Sequence, residues 1–215
     1  DKTGSRTLNR ATDTTRQPGS TFKVLAAYAP ALDTAGMTLA TVQDDAPFSY
    51  ANGVSLRNYD NNYRGFTTLR FAITKSINVV TVKTLTDISP QVGYDYLQNF
   101  GFTTLTQEDI VQSLALGGIT QGVTNLELTG AYATIANKGT YIKPRFYSRI
   151  LDHSGNVLID NKQETHTVLK ESTAFLLTSA MQDVVTVGTG TAVNFGNMSI
   201  AGKTGTTTKN RDALF

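Results

Sequence analysis

Around residue 140 the apolar residues of this chain change from a helical spacing to a strand spacing, and neither an all-helical nor an all-strand fold accommodates that change. Upstream, Phe22, Val24, Leu25, Ala26, Ala27, Ala29 and Leu32 predict an apolar helix opening at Ser20 and stopping near Gly36. Residues 38–66 carry Asn52-Gly53, Asn58, Asp60-Asn61-Asn62 and Gly65, so they read as loops with short strands at most. Thr68 to Leu85 predicts two helical stretches meeting at Ser76. Ser89-Pro90 to Gly101 has both helix ends marked, and Thr124 to Asn137 predicts another helix with Gly139 as its stop. Downstream, residues 146–151, the turn Asp152-His153-Ser154-Gly155 and Val157-Leu158-Ile159 read as strand, turn and returning strand. Glu171 to Val187 predicts a long helix, Gly188-Thr189-Gly190 a loop, and Met198 to Thr206 a strand. The expected fold class is therefore mixed α/β: a mostly helical part over 20–139, then strands and one long helix over 140–215.

Composition decides which chemistry such a chain can run. It has no Cys and only two His, His153 and His166, which excludes disulfides, thiolate metal sites and cysteine nucleophiles. Both His sit in polar stretches and read as solvated, so acid–base work falls to Lys, Asp, Glu, Ser or Tyr. A formal charge of +2 with no basic run gives no reason to expect nucleic acid. No stretch approaches the roughly 18 apolar residues of a bilayer span; the longest candidate, Phe22 to Leu32, is interrupted by Lys23 and Pro30. No signal peptide opens the sequence.

A serine nucleophile without a useful His needs another base, and Lys is the available one. The chain holds one Ser-x-x-Lys, Ser20-Thr21-Phe22-Lys23, and i, i+3 spacing places both side chains on one helix face. Ser20 is also readable as a plain N-cap. Lys23 argues against that: a cation in the first turn faces the positive end of the helix dipole, unfavourable by about 0.3–1 kcal/mol. The same field, with burial, favours the neutral amine that a general base requires. A serine at the helix start also points backbone N–H groups at any oxyanion formed there. The second motif is Ser76-Ile77-Asn78 at the predicted helix junction, with Ser76 as proton carrier or cap and Asn78 as an amide clamp on a peptide. A decoy, Ser154-Gly155-Asn156, reads as a hairpin turn. The third is Lys203-Thr204-Gly205-Thr206, with a decoy at Lys2-Thr3-Gly4. Lys203 supplies positive charge that depresses Lys23. The Thr204 and Thr206 hydroxyls suit a carboxylate, and Gly205 admits a close backbone, as a bulge or beside an added peptide strand.

Taken in order, Ser-x-x-Lys, Ser-x-Asn and Lys-Thr-Gly are the set associated with penicillin-binding proteins and class A β-lactamases. With Asn9-Arg10-Ala11-Thr12, Arg16-Gln17-Pro18-Gly19, Ala115-Leu116-Gly117-Gly118 and Gly188-Thr189-Gly190-Thr191-Ala192, the chain resembles the transpeptidase domain of class A, bifunctional penicillin-binding proteins. The resemblance implies a penicillin-recognising serine transpeptidase fold, a helical subdomain plus an antiparallel sheet. It implies D,D-transpeptidation of peptidoglycan stem peptides ending in D-Ala-D-Ala, through a Ser20 acyl-enzyme that β-lactams also form. By motif, Ser20, Lys23, Ser76 and Lys203 are the catalytic set, and Asn78, Thr204, Gly205 and Thr206 bind substrate. No metal or cofactor is implied. A glycosyltransferase domain in the parent protein and the extracytoplasmic face of the cell membrane are. The family's sheet takes strands from before the nucleophile helix and after Lys-Thr-Gly. With Ser20 so early and nine residues after Thr206, one domain truncated at both ends, with an incomplete sheet, is expected.

Three rivals use parts of the same pattern. A class A β-lactamase carries Glu-x-x-Leu-Asn and usually Ser-Asp-Asn; this chain has neither, which favours slow deacylation. A penicillin sensor would keep acylation but sit beside a signalling module. A P-loop from Gly196 to Lys203-Thr204 is one residue too long to cradle phosphate.

Overall fold

The structure, a computed structural model, describes residues 7–207 and 212–215. The decoy Lys2-Thr3-Gly4 lies outside them. Strand β1 (Thr15–Arg16) leads into a tight turn, Gly19–Thr21, then a π-helical stretch, Lys23–Tyr28, and α1 (Ala29–Asp33). Pro30 explains the wide turn: it brings no N–H to Ala26 O, and the Ala29 N–H bonds to Val24 O, five residues back. Strands β2 (Val42–Asp45), β3 (Phe48–Ser49), β4 (Ser55–Leu56) and β5 (Gly65–Thr68) follow, then α2 (Leu69–Lys75), α3 (Asn78–Ile88) and α4 (Pro90–Asn99). After two 3₁₀ turns come β6 (Val123–Thr124), α5 (Asn125–Ala136), β7 (Thr140–Ile142), β8 (Arg149–Leu151), β9 (Val157–Asp160), β10 (Thr165–Thr167) and α6 (Glu171–Thr186). The described chain ends with β11 (Gly205–Thr206) and β12 (Ala213–Leu214).

Every residue from Phe22 to Ala29 is fully buried, so the segment after Ser20 is the axis of the core rather than a surface helix. It packs against α2, α3 and α4. Tyr28 and Thr81 satisfy each other's hydroxyls at 2.7 Å inside that core. Among the described residues no buried side-chain nitrogen or oxygen lacks a partner.

Helix ends follow the sequence closely. Ser89 Oγ accepts from the Gln91 N–H, Pro90 opens α4, and Gly101 ends it at φ +92°. At α5, Thr124 Oγ1 accepts from the Glu127 N–H while Glu127 accepts from the Thr124 N–H and hydroxyl. Glu127 also accepts from the Thr103 N–H and hydroxyl, tying the loop to the helix. Burial pushes this carboxyl up, but hydrogen bonds from Thr103 and Thr124 outweigh it and hold the group below its ordinary 4.5. Glu127→Ala should therefore lose about 1–2 kcal/mol at pH 7. Because the folded pKa is depressed, that loss shrinks as pH falls through the carboxylate range. Thermal unfolding of both proteins at pH 7 and at acid pH checks the size and the sign.

The strands form six two-stranded antiparallel pairs among the described residues: β1–β6, β2–β5, β3–β4, β7–β10, β8–β9 and β11–β12. Two strand expectations are corrected, and that over 146–151 is strand only at Arg149–Leu151. Of the predicted strand Met198 to Thr206, only Gly205–Thr206 is strand, because a strand exists only where a neighbour completes its ladder and β12 reaches just those two residues. Lys203 and Thr204 therefore lie in the irregular lead-in to β11. The β7–β10 pair arises from the polar run Thr165–Thr167; there the exposed His166 places Nε2 2.8 Å from Asn99 O.

Candidate active site

Three segments far apart in sequence meet at Lys23. Its Nζ, fully buried, lies 2.6 Å from Ser76 O, 2.6 Å from Asn78 Oδ1 and 3.1 Å from Ser76 Oγ. Lys203 Nζ reaches the same hydroxyl from the other side, donating to Ser76 Oγ at 2.8 Å and to Thr204 O at 2.9 Å. Ser76 thus stands between two lysines. It sits between α2 and α3 in the left-handed conformation (φ +56°), which turns its carbonyl and hydroxyl together towards Lys23. A non-glycine residue there is strained.

No carboxylate pairs with either amine among the described residues. Two buried ammonium groups without an anion cannot both be favourable. Burial lowers Lys203 to about 7. Burial, then repulsion from Lys203, puts Lys23 well below its ordinary 10.5. A neutral Lys23 has two hydrogens for the two short contacts, which leaves its lone pair for a hydroxyl. The arrangement can hold one proton between two amines and pass it through Ser76.

Ser20 is half-buried in the tight turn that opens the core helix. Its hydroxyl makes no hydrogen bond among the described residues, whereas the side-chain hydrogen bonds of Lys23 run to Ser76 and Asn78. Three backbones crowd around the turn. A Cβ on Gly19 would lie 3.0 Å from Thr206 O, and one on Gly205 would lie 2.9 Å from Pro18 O. The close backbone admitted at Gly205 is thus the turn carrying Ser20. Beside it, Gly19, Gly117, Gly118 and Thr206 line an open groove of about 830 Å³ with Arg16 and Gln17. Thr206 is exposed, and the Thr204 hydroxyl lies 2.6 Å from that of Thr189.

Thr189 and Asn58 join the site without having been given a site role from the sequence. Thr189 had a signal, a Thr between two Gly just after a long helix. Asn58 accepts from the Asn78 and Val79 N–H groups, and its signal is negative: the N-cap of α3 is Ile77, whose side chain has no acceptor. The decoy Ser154-Gly155-Asn156 is a turn, closed by Asp152 accepting from the Ser154 and Asn156 N–H groups. Among the described residues no three of His, Asp and Glu converge as metal ligands would.

The family model for the penicillin binding protein transpeptidase domain matches residues 1–213. Penicillin-binding protein 1F of Bacillus subtilis (strain 168) is 39% identical over 203 residues, covering 94% of this chain and 28% of that protein. Penicillin-binding protein 1A of Neisseria cinerea is 37% identical over 223 residues, covering 98% of this chain and 27% of the relative. The chain therefore spans about a quarter of the length of the curated relatives it matches. Among solved structures, penicillin-binding protein 1A from Haemophilus influenzae superposes with a TM-score of 0.83 at 25% identity, over 96% of this chain and 36% of that one. The D,D-transpeptidase domain of a peptidoglycan glycosyltransferase from Eggerthella lenta has the same fold, with a TM-score of 0.81 at 23% identity, over 96% of this chain and 57% of that one. A match running almost end to end, on a chain whose two lysines converge on one serine, has a single reading: this chain belongs to the penicillin-binding protein transpeptidase domain family.

Proposed function

We propose that this chain carries the D,D-transpeptidase activity of a peptidoglycan-building protein, with Ser20 as nucleophile. The observation that carries the reading is the hydrogen-bonded series Lys23–Ser76–Lys203, whose two lysines are buried and, among the described residues, without a carboxylate partner. Neutral Lys23 takes the Ser20 hydroxyl proton as Oγ bonds to the penultimate D-Ala carbonyl carbon of a stem peptide ending in D-Ala-D-Ala. The Ser20 and Thr206 N–H groups receive the oxyanion. As the C–N bond breaks, the proton passes from Lys23 through Ser76 to the departing D-Ala amine. An amino group from a neighbouring stem peptide then attacks the ester, returning the proton by the same route and freeing Ser20. Asn78 holds the peptide amide. Thr204 and Thr206, beside the Lys203 charge, take the terminal carboxylate, and Gly205 keeps β11 close enough to offer them.

β-Lactams acylate Ser20 in this reading, and the adduct persists because, among the described residues, no carboxylate bonds to Ser20, Lys23, Ser76 or Lys203 to activate water. The fold shared with a domain of a peptidoglycan glycosyltransferase supports a glycosyltransferase domain in the parent protein. Substrate chemistry puts the parent at the extracytoplasmic face of the membrane, although no helix among the described residues is long and apolar enough to cross one. The test is mass spectrometry of the intact protein after penicillin treatment. A stable adduct on the Ser20 peptide, absent in Ser20→Ala, is expected; an adduct elsewhere, or none, would overturn the assignment.

A further inference from the structure

Helix α3 starts badly. Its N-cap is Ile77, its first turn has no acidic residue, and its first N–H groups need an acceptor from elsewhere. Asn58, some twenty residues upstream and 5% exposed, supplies it: Oδ1 accepts from the Asn78 N–H at 3.0 Å and the Val79 N–H at 3.1 Å. Its Nδ2 donates to Asp45 Oδ1 at 2.7 Å and to Asn62 O at 2.8 Å. Every hydrogen and lone pair of the carboxamide is used, so its orientation is determined; a flip would set NH₂ against two N–H groups.

Behind it stands Asp45, a wholly buried carboxylate on β2 that also accepts from the Arg64 N–H at 3.1 Å. The neighbouring residue completes the seat, since Arg57 O accepts from Asn78 Nδ2 at 2.8 Å. That leaves Asn78 Oδ1 turned to Lys23. On the other flank, the Ser76 and Ile77 N–H groups bond back to Ile73 O and Ala72 O. Ser76, in its strained conformation, is therefore clamped between the end of α2 and the Asn58 carboxamide.

We propose that Asn58, backed by Asp45, is a positioning residue for acylation: it fixes the Ser76-Ile77-Asn78 segment, and through it the two oxygens that hold Lys23. The inference rests on the reading of Ser20 as nucleophile. It contributes no group to the substrate, and the Asn78 carboxamide, which does, keeps its own bonds to Arg57 O and Lys23, so the loss falls mainly on the chemical step.

The test uses the intact protein and a fluorescent penicillin, separating the acylation rate constant per titrated site from the affinity of the preceding complex. Unfolding lowers the number of titrated sites, not the rate constant per site. Asn58→Ala should slow acylation roughly ten- to a hundred-fold, by analogy with other oriented second partners of functional groups, with affinity within about threefold. Amide exchange at Asn78 and Val79 should speed up in the same variant. Asn58→Asp sets a second carboxylate against Asp45 and should be worse. Adding Asp45→Asn restores one donor–acceptor pair and should recover at least a tenth of the lost rate. A wild-type rate constant in Asn58→Ala, unchanged exchange at Asn78 and Val79, or no recovery in the double variant would overturn the proposal. If wild-type protein is not labelled at Ser20, the nucleophile reading fails instead, and the exchange measurement still decides whether Asn58 holds the segment.

Discussion

Replacing Lys23 with methionine is expected to slow penicillin acylation of Ser20 about a thousand-fold or more, the scale of a lost general base. Methionine fills similar space and removes the amine, so Ser20 keeps its turn but, in the proposed mechanism, loses its proton acceptor. Ser76 O and Asn78 Oδ1 lose a donor, at about 1–3 kcal/mol each. Removing a buried amine that has no anion offsets part of that. Stopped-flow acylation, normalised to folded protein, separates the two effects. The pH dependence fixes the sign. The proposed acylation needs neutral Lys23, so its rate should rise with pH through the Lys23 pKa, which burial and then Lys203 hold well below 10.5. Lys203→Gln removes the repulsion, lets Lys23 climb, and moves that acid limb to higher pH. A limb that stays in place, or a Lys23→Met protein that still acylates briskly, would show that another group takes the proton.

The same lysine marks where sequence reading succeeds and where it stops. A cation in the first turn of an otherwise apolar helix is locally unfavourable, and a locally unfavourable residue is visible without a structure. Ser89-Pro90 and Gly101 were legible for a related reason, since capping is decided by residues within one turn. What local pattern lacks is convergence. Ser76 and Lys203 are 127 residues apart, and no spacing rule places their side chains at 2.8 Å. The strand predicted over 198–206 shrank to two residues because ladders depend on a partner elsewhere in the chain. Asn58 looked like one of several loop-forming Asn residues. Only the fold reveals that α3, starting at an isoleucine, takes its cap from that loop. The wide turn at Lys23–Tyr28 was equally hidden, although Pro30, which causes it, was in plain view.

A large stability effect is expected not at a charged group but at Gly117, where valine should cost about 3 kcal/mol or more, adding left-handed strain to overpacking. Gly117 has φ +75°, and a Cβ there would lie 2.5 Å from Gly19 O and 2.6 Å from Gly19 N. Both are backbone atoms, so no rotamer change relieves the clash. Gly19 in turn has no room to retreat, because Thr206 O stands 3.0 Å from where its own Cβ would be. The two loops are also pinned across the contact, with Gln17 Nε2 donating to Ile119 O at 2.7 Å and the Ile119 N–H donating back to Gln17 Oε1 at 3.4 Å. A bulky residue at 117 must therefore move the turn that carries Ser20, or open the stack between that turn and β11. Gly36→Val is the control: its φ is +70°, yet nothing lies within 4 Å of its missing Cβ, so it reports backbone strain alone. Denaturant unfolding of both variants should give a clearly larger loss for Gly117→Val, and the fraction that still folds should acylate slowly. Equal losses would mean that the turn yields, and that close packing around Ser20 does not hold the nucleophile in place.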